Sequence, residues 1–379
     1  MSKKKIVFLT GTRADFGKLK SLIKITQKSH NYEVHLFVTG MHMNSKYGAT
    51  VQEIVKSGFE NIYSFINHDT VEHMDRTLAK TIDGFSHYIA EIKPDLIVVH
   101  GDRVEALAGA IVGSLNNILV THIEGGEISG TIDELIRHAV SKMSHVHLVA
   151  NEEAKKRLLQ LGEIEESIQV IGSPDLDLMN PAHLPPEVEA LEYYGIKFNK
   201  YAIAMFHPVT TEYEYISLYA KNFVDALIES QLNYIVIYPN NDLGSNEILA
   251  EYTRLKLNEK FRIYPSLRFE YFLTLLQNAE FIIGNSSAGI REAPYYNVPT
   301  IDIGTRQLNR AHLKTIIHCN YDKNEICKSI EKVTNSFTQS NDVVQNYFGD
   351  GKSDKMFLEL LDSDNLWKIN HQKQFRELV

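Results

Sequence analysis

One rhythm constrains this chain more than any other feature. A short β-branched apolar run is followed by a glycine or polar turn and then by a segment of helix length, and the pattern repeats along the sequence. The runs Ile6–Thr10, Val34–Thr39, Leu96–His100, Ile118–Ile123, Val146–Ala150 and Ile168–Ile171 are apolar on both alternating faces, as parallel strands buried from both sides must be. Periodic stretches such as Lys18–Ser29 and Arg103–Leu115 read as the crossover helices between them. Such alternation predicts a doubly wound α/β sheet.

The rhythm breaks once. Pro174, Pro181, Pro185 and Pro186 crowd a segment that reads as a linker. It then restarts with Tyr201–Phe206, Tyr234–Tyr238, Arg262–Tyr264, Phe281–Gly284 and Thr300–Ile303. The expectation is two Rossmann-like domains with a cleft between them, one over residues 1–175 and one over 195–360. The last stretch, 364–379, holds the single tryptophan, Trp367, and is expected to be a helix that joins the first domain. A length of 379 residues suits two domains at roughly 100–200 residues each.

Charge and cysteine usage narrow the class. A formal net charge of −9 gives no basic face for nucleic acid or an anionic membrane, although a few local arginines can hold a phosphate on an acidic protein. Cys319 and Cys327 make no disulfide framework and read as reduced, structural thiols. The basic start followed by Ile6–Leu9 has the outline of a signal peptide, but Thr10-Gly11-Thr12-Arg13 ends the apolar run too early, and a first strand fits better. No apolar window reaches membrane-spanning length. The expected location is the cytoplasm.

In open α/β sheets ligands bind beyond the carboxyl ends of the strands. Those ends are polar here: Gly11-Thr12-Arg13, Gly40-Met41-His42, His100-Gly101-Asp102-Arg103 and His122-Ile123-Glu124-Gly125-Gly126-Glu127, then Phe206-His207-Pro208, Pro239-Asn240-Asn241-Asp242 and Gly284-Asn285-Ser286-Ser287-Ala288-Gly289. The segment 284–289 reads as opening a helix that continues through Ile290-Arg291-Glu292, either a phosphate site at a helix start or a plain serine cap. Arg13, Arg103 and Arg306 have the planar charge that suits a diphosphate, and each equally suits a surface ion pair.

The first half gathers Asp102, Glu124, Glu127 and Asp133 with His42, His100, His122, His145 and His147. Carboxylates at buried strand ends are costly unless paired or functional. The His145-x-His147 pair raises a metal site, but hydrogen-bonding histidines around acid–base carboxylates explain the cluster better, and no metal is expected. Glu124 and Glu127 could also be helix caps, and Asp133 with Arg137 a helical ion pair.

These residues match a known pattern. Thr-Gly-Thr-Arg-Ala-Asp-Phe-Gly-Lys-Leu (10–19), Val-Thr-Gly-Met-His (38–42), His-Gly-Asp-Arg (100–103), His-Ile-Glu-Gly-Gly-Glu (122–127), Asp-Glu-Leu-Ile-Arg-His (133–138), Phe-His-Pro (206–208), Gly-Asn-Ser-Ser-Ala-Gly-Ile-Arg-Glu-Ala-Pro (284–294) and Gly-Thr-Arg-Gln (304–307) resemble the hydrolysing UDP-N-acetylglucosamine 2-epimerases of sialic acid biosynthesis. The likeness is to the bacterial capsule enzymes and to the epimerase half of the bifunctional mammalian enzyme, strong over residues 5–310 and weaker in the tail.

The resemblance implies a GT-B fold with the nucleotide sugar between its two Rossmann-like domains, and conversion of UDP-N-acetylglucosamine and water to N-acetylmannosamine and UDP. It implies Asp102, Glu124 and Asp133 as catalytic carboxylates, with Arg137 and His207 in the catalytic set. Substrate and UDP binding fall to Arg13, Lys18, His42, Arg103, His145, His147, Asn240, Ser286, Ser287, Glu292 and Arg306. Ser286, Ser287 and Arg306 would hold the diphosphate and Glu292 the ribose. Non-hydrolysing relatives carry a run of glycines after the serine, where this chain has Ser287-Ala288. No cofactor is expected, since elimination and hydration need acids and an anion clamp rather than a nicotinamide. The expected partner is a UDP-sugar, and the expected assembly a homodimer or homotetramer. The rival readings are a related epimerase acting on a bacillosamine-type sugar nucleotide and a GT-B glycosyltransferase.

Overall fold

The computed structural model describes residues 3–45, 48–68, 73–129, 131–181, 184–308, 313–336 and 348–376. The chain divides into two units. One comprises Met1–Glu127, Asp133–Asn180 and Asn346–Val379, and the other Ile128–Ile132 and Pro181–Gln345. The division at Asn180 and Pro181 falls inside the proline cluster.

Among the described residues the first unit carries seven parallel strands: β1 (Lys4–Thr10), β2 (Tyr32–Val38), β3 (Ile62–Ser64), β4 (Leu96–His100), β5 (Leu119–Ile123), β6 (Val146–Val149) and β7 (Ile168–Val170), ordered β3-β2-β1-β4-β5-β6-β7. β4 and β5 are buried at every position, because helices cover both sheet faces. Helix Arg13–Lys28 starts with a capping box between Thr12 and Asp15 and buries Phe16, Leu19, Leu22 and Ile23 against the sheet. A cap of this kind is worth about 1 kcal/mol.

Among the described residues the second unit carries six parallel strands: β8 (Ala202–Met205), β9 (Tyr234–Ile237), β10 (Phe261–Tyr264), β11 (Ile282–Gly284), β12 (Thr300–Ile303) and β13 (Ile316–Cys319), ordered β10-β9-β8-β11-β12-β13. Its core includes Phe206, Phe223, Tyr234, Tyr252 and Phe281. Among the described residues no helix is long and apolar enough to cross a membrane.

The tail differs from the expectation of a helix over 364–379. The helix occupies Ser353–Asp362, and beyond it the described part of the tail has a 3-10 turn at Leu366–Lys368, while residues 377–379 lie outside the described residues. Asp177 decides the start, since its carboxylate accepts the backbone N–H groups of Ser353 and Asp354 at 2.9 and 3.0 Å. Phe357 and Leu361 then join the core of the first unit, where the Phe357 ring meets Phe8 edge-on at 6.0 Å. Full burial of such a side chain is worth about 1.5–3 kcal/mol. The polar segment that follows runs as a strap. Lys373 donates to the carbonyls of Lys142 and Ser144 and to Glu163, closing the end of helix Ile132–Met143.

Candidate active site

Strand order reverses direction between β1 and β4 in one sheet and between β8 and β11 in the other. At such a switch point the chains leave neighbouring strands in opposite directions, and their carboxyl ends border a crevice. The polar ends of β1, β4, β8 and β11 lie at these two places, and those of β2, β5 and β9 on the strands next to them.

In the first unit Glu124 stands at the end of β5, beside the switch point, and meets groups that follow β1 and end β4. This residue follows β5 with a φ of +67°, a left-handed conformation that costs a residue with a side chain about 1–3 kcal/mol. The turn is held by the Glu124 N–H donating to the Leu148 carbonyl at 2.9 Å. It sets the carboxylate among three partners: His100 Nε2 at 3.1 Å, the Ser173 hydroxyl donating at 3.2 Å, and Lys18 Nζ at 3.7 Å. Lys18 Nζ also lies 3.4 Å from Asp175 Oδ2. All five side chains are buried. An acid this enclosed is suited to moving a proton or to facing a developing positive charge, since water does not screen it.

Asp102 lies beyond β4, where it accepts a hydrogen bond from Arg137, whose guanidinium also donates to the Glu127 carbonyl at 3.3 Å. Asp133 is buried one helical turn before Arg137. His122 fixes the turn beneath. Burial lowers its pKa to about 3, so the ring is neutral, with Nε2 donating to the Gly101 carbonyl at 2.8 Å and Nδ1 accepting from the Ser141 hydroxyl at 3.0 Å.

Three assignments made from sequence meet a different geometry in this unit. His42 is fully buried between Thr10 and Thr50, at 3.1 and 2.6 Å, and burial lowers its pKa to about 4. It braces the ends of β1 and β2 and offers no surface to a substrate. His147 is fully buried with Nε2 on Glu163 at 2.9 Å. His145 precedes β6 at its amino end, where Nδ1 accepts the Val120 N–H and Nε2 meets the His371 carbonyl at 2.9 Å. His145 belongs to the scaffold, because both its ring nitrogens are spent on internal partners before the amino end of β6, and His147 spends its Nε2 on Glu163 inside the sheet. Arg13 makes a two-pronged pair with Glu53, the ion-pair alternative left open by the sequence. Arg103 lies 3.9 Å from Glu105, a carboxylate whose pKa burial raises.

In the second unit the switch point is pinned by Asn285. Its Oδ1 accepts the His207 N–H at 2.6 Å and its Nδ2 donates to the His207 carbonyl at 2.9 Å, tying the end of β8 to the end of β11. His207 Nδ1 accepts the Asn240 N–H at 2.9 Å, which puts the ring proton on Nε2. Asn240 Oδ1 is buried with no hydrogen-bond partner among the described residues. Arg306 and Gln307 both donate to the Asn285 carbonyl, at 3.2 and 3.1 Å. Gly284 has a φ of +135°, and a Cβ there would overlap the Met205 carbonyl, so no other residue fits the close approach of β8 and β11.

The helix expected to run from this segment through Glu292 is broken. A 3-10 turn covers Ser287–Gly289, with Ser286 as its cap, and a short helix restarts at Glu292–Tyr295. The Thr300 hydroxyl takes the Gly289 carbonyl at 2.6 Å, and Pro294 lacks the N–H that a continuous helix would use, which a fresh first turn does not need. Glu292 is nevertheless buried beside this turn.

Comparison with known proteins decides what this pair of switch points belongs to. Residues 24–362 match the UDP-N-acetylglucosamine 2-epimerase family. The UDP-N-acetylglucosamine 2-epimerase of Neisseria meningitidis serogroup B is 48% identical over 375 residues, covering 99% of each chain. The chain belongs to the UDP-N-acetylglucosamine 2-epimerase family. Within that family, a Legionella pneumophila UDP-N,N'-diacetylbacillosamine 2-epimerase (hydrolyzing) is 34% identical and covers 94% of this chain and 95% of its own. The structure also matches a crystal structure of UDP-GlcNAc 2-epimerase from N. meningitidis bound to UDP-GlcNAc, with a TM-score of 0.79 at 17% identity over 94% of this chain and 99% of that one. The fold is therefore the two-domain α/β GT-B fold of the 2-epimerases.

Sequence reading missed Ser173, Asp175 and the pinning role of Asn285. Gly172-Ser173-Pro174-Asp175 follows β7 just as the other polar ends follow their strands. That position was the available signal, and the prolines drew the segment into a linker instead.

Proposed function

We propose that this 2-epimerase family member hydrolyses UDP-N-acetylglucosamine to N-acetylmannosamine and UDP, the entry step to sialic acid. The observation that carries the reading is Glu124, a buried carboxylate held in a strained turn against His100 and Lys18. The C2 proton of an acetamido sugar is not acidic, so direct abstraction is hard. Loss of the diphosphate from C1 is easier and develops positive charge at the anomeric carbon, which a carboxylate stabilises. A carboxylate then takes the C2 proton to leave a 2-acetamidoglucal. Water adds at C1 while another acid returns a proton to the opposite face of C2. Asp102, Glu124 and Asp133 supply these acids, Arg137 orients Asp102, and the strand ends around His207, Asn240, Ser286, Ser287, Glu292 and Arg306 hold the uridine diphosphate. The hydrolytic outcome is supported by Ser287-Ala288 in place of a glycine run and by the 34% identical hydrolysing relative. The sialic acid context is supported by the 33% identical Escherichia coli polysialic acid biosynthesis protein P7.

Run in D₂O, the reaction yields N-acetylmannosamine with one solvent deuterium at C2. Proton NMR of the product tests this directly. A hydride mechanism returns the original hydrogen, and a glycosyltransferase-like site releases N-acetylglucosamine with C2 untouched. Product lacking deuterium at C2 overturns the elimination and hydration path. Running UDP-N,N'-diacetylbacillosamine in parallel separates the reading from its nearest rival by which sugar nucleotide is turned over faster.

Arg306→Ala weakens UDP binding by roughly 10- to 100-fold, the loss of one charge-assisted hydrogen bond worth about 1.5–3 kcal/mol. Calorimetry with UDP reads this, and an unchanged affinity removes Arg306 from the site.

A further inference from the structure

β12 runs out into Gly304-Thr305-Arg306, and Gly304 has a φ of +78°, the left-handed region that glycine enters at least cost. A guanidinium carried on a turn that opens this way is free to wander unless groups outside the turn hold it. Tyr321 and Glu212 do so. The Tyr321 ring, beyond β13, fills the space beside Gly304, where a Cβ would overlap it. Its hydroxyl accepts the Thr305 N–H at 3.4 Å. The Thr305 hydroxyl in turn donates to Glu212 Oε1 at 2.7 Å, from the 3-10 turn Thr210–Tyr215 that follows β8.

Both anchors are themselves fixed. Tyr321 stacks on Tyr219 of helix Ile216–Glu229, with ring centroids 3.8 Å apart and planes 6° apart, and meets buried Phe206 edge-on at 6.2 Å. The Asn222 amide donates to the Tyr321 carbonyl at 3.1 Å. Burial raises the pKa of the Tyr321 hydroxyl, so it stays neutral. The Glu212 N–H donates to the Val209 carbonyl at 2.9 Å. The turn after β12 is thus tied to the chain after β8 and the chain after β13, and Arg306 extends from it to the Asn285 carbonyl at the end of β11.

We propose that Thr305 is a positioning residue for UDP binding, one that uses Glu212 and Tyr321 to hold the turn so that Arg306 meets the diphosphate already in place. The proposal rests on the reading of Arg306 as part of the UDP site. Thr305 touches no reacting atom; it acts through the residue that follows it. Its contribution is to order the turn before the ligand arrives, which removes that cost from binding.

The test is calorimetry with UDP on the wild type, Thr305→Val, Thr305→Ser, Arg306→Ala and the double variant of Thr305→Val with Arg306→Ala. Neither threonine change alters a charge, so an effect on the diphosphate is one of position. Thr305→Val weakens UDP binding by about 3- to 10-fold, as expected when a long side chain must be immobilised on binding. Thr305→Ser keeps the hydroxyl and restores the wild-type affinity. The double variant matches Arg306→Ala within about twofold, because without the guanidinium the turn has nothing to present. A threonine that served stability alone would cost affinity with or without Arg306. Tyr321→Phe removes the acceptor of the Thr305 N–H and weakens binding in the same way, so the proposal stays testable where Thr305→Val fails to fold. Unchanged UDP affinity in Thr305→Val and Tyr321→Phe overturns the proposal, as does a loss that serine does not restore or that multiplies with the loss in Arg306→Ala. A wild type that binds UDP with this coupling but releases no N-acetylmannosamine overturns the epimerase reading alone, so the two failures are told apart.

Discussion

Glu124→Gln lowers turnover by about 100-fold or more while leaving UDP affinity unchanged, the expected loss when a single proton-transfer group is removed. The amide is nearly isosteric and keeps an oxygen for the Ser173 hydroxyl. Lys18 is not stranded, because Asp175 remains 3.4 Å away. The fold therefore survives, and the loss falls on kcat. Asp102→Asn cuts turnover similarly but behaves differently in a melting experiment. Its partner Arg137 is 1% exposed, and the amide retains an acceptor for the guanidinium but gives up the charge. Breaking a buried ion pair outright costs about 3–5 kcal/mol, and the retained hydrogen bond keeps part of that. Circular dichroism melts thus show a lower Tm for Asp102→Asn than for Glu124→Gln, with both defective in release of the free sugar. Wild-type turnover in either variant removes that carboxylate from the chemistry.

The second large effect is acid lability that begins well above the usual carboxylate range. His42 and His122 have folded pKa values of about 4 and about 3, lowered from 6.5 chiefly by burial. Above pH 6.5 each ring is neutral folded or unfolded, and its contribution to stability is complete. Below 6.5 the unfolded chain gains protons that the fold refuses, so stability drains as pH falls toward the folded values. At about 1.4 kcal/mol per pKa unit, the two rings put several kcal/mol at stake, comparable with the roughly 5–15 kcal/mol that holds a domain together. Glu163 adds to the loss between pH 4.5 and about 2, where burial opposes its charge but His147 and Lys373 hold its pKa down. Asp177 works the other way. Its pKa is raised to about 6 by burial, so its contribution grows as pH falls and offsets part of the loss. Melts from pH 8 to pH 4 are expected to show a flat Tm above about 7 and a steep fall below 6.5. A Tm unchanged down to pH 4.5 refutes the neutral-histidine account.

The strap at the tail links the two halves of this behaviour. Lys373 reaches Glu163 and the end of the helix that carries Asp133 and Arg137. Lys373 thus ties Glu163, whose pKa is held down to about 2, to the carbonyl end of that helix.

How much of this was legible beforehand depends on the range of the interactions involved. Parallel strands buried on both faces write themselves as apolar runs, so Leu96–His100 and Thr300–Ile303 are read at their true bounds. The edge strands Ile62–Ser64 and Ile316–Cys319 are short and partly exposed, carry no such run, and went unread. The polar ends that form both switch points are local features of strand and turn, and these the sequence determined by itself, together with the family. Which side chains meet there was decided by tertiary structure alone. Arg137 reaches Asp102 across 35 positions, Lys18 from the first helix meets Asp175 beyond β7, and Asp177 caps a helix 176 positions further on. Spacing along the chain carries no record of such pairs, because a carboxylate's partner is set by which strand ends the sheet order brings together. The same holds for His145, which looks like a site residue in sequence and in space gives one nitrogen to the Val120 N–H and the other to the His371 carbonyl. A histidine's role depends on whether its two nitrogens are spent inside the fold, and only packing decides that.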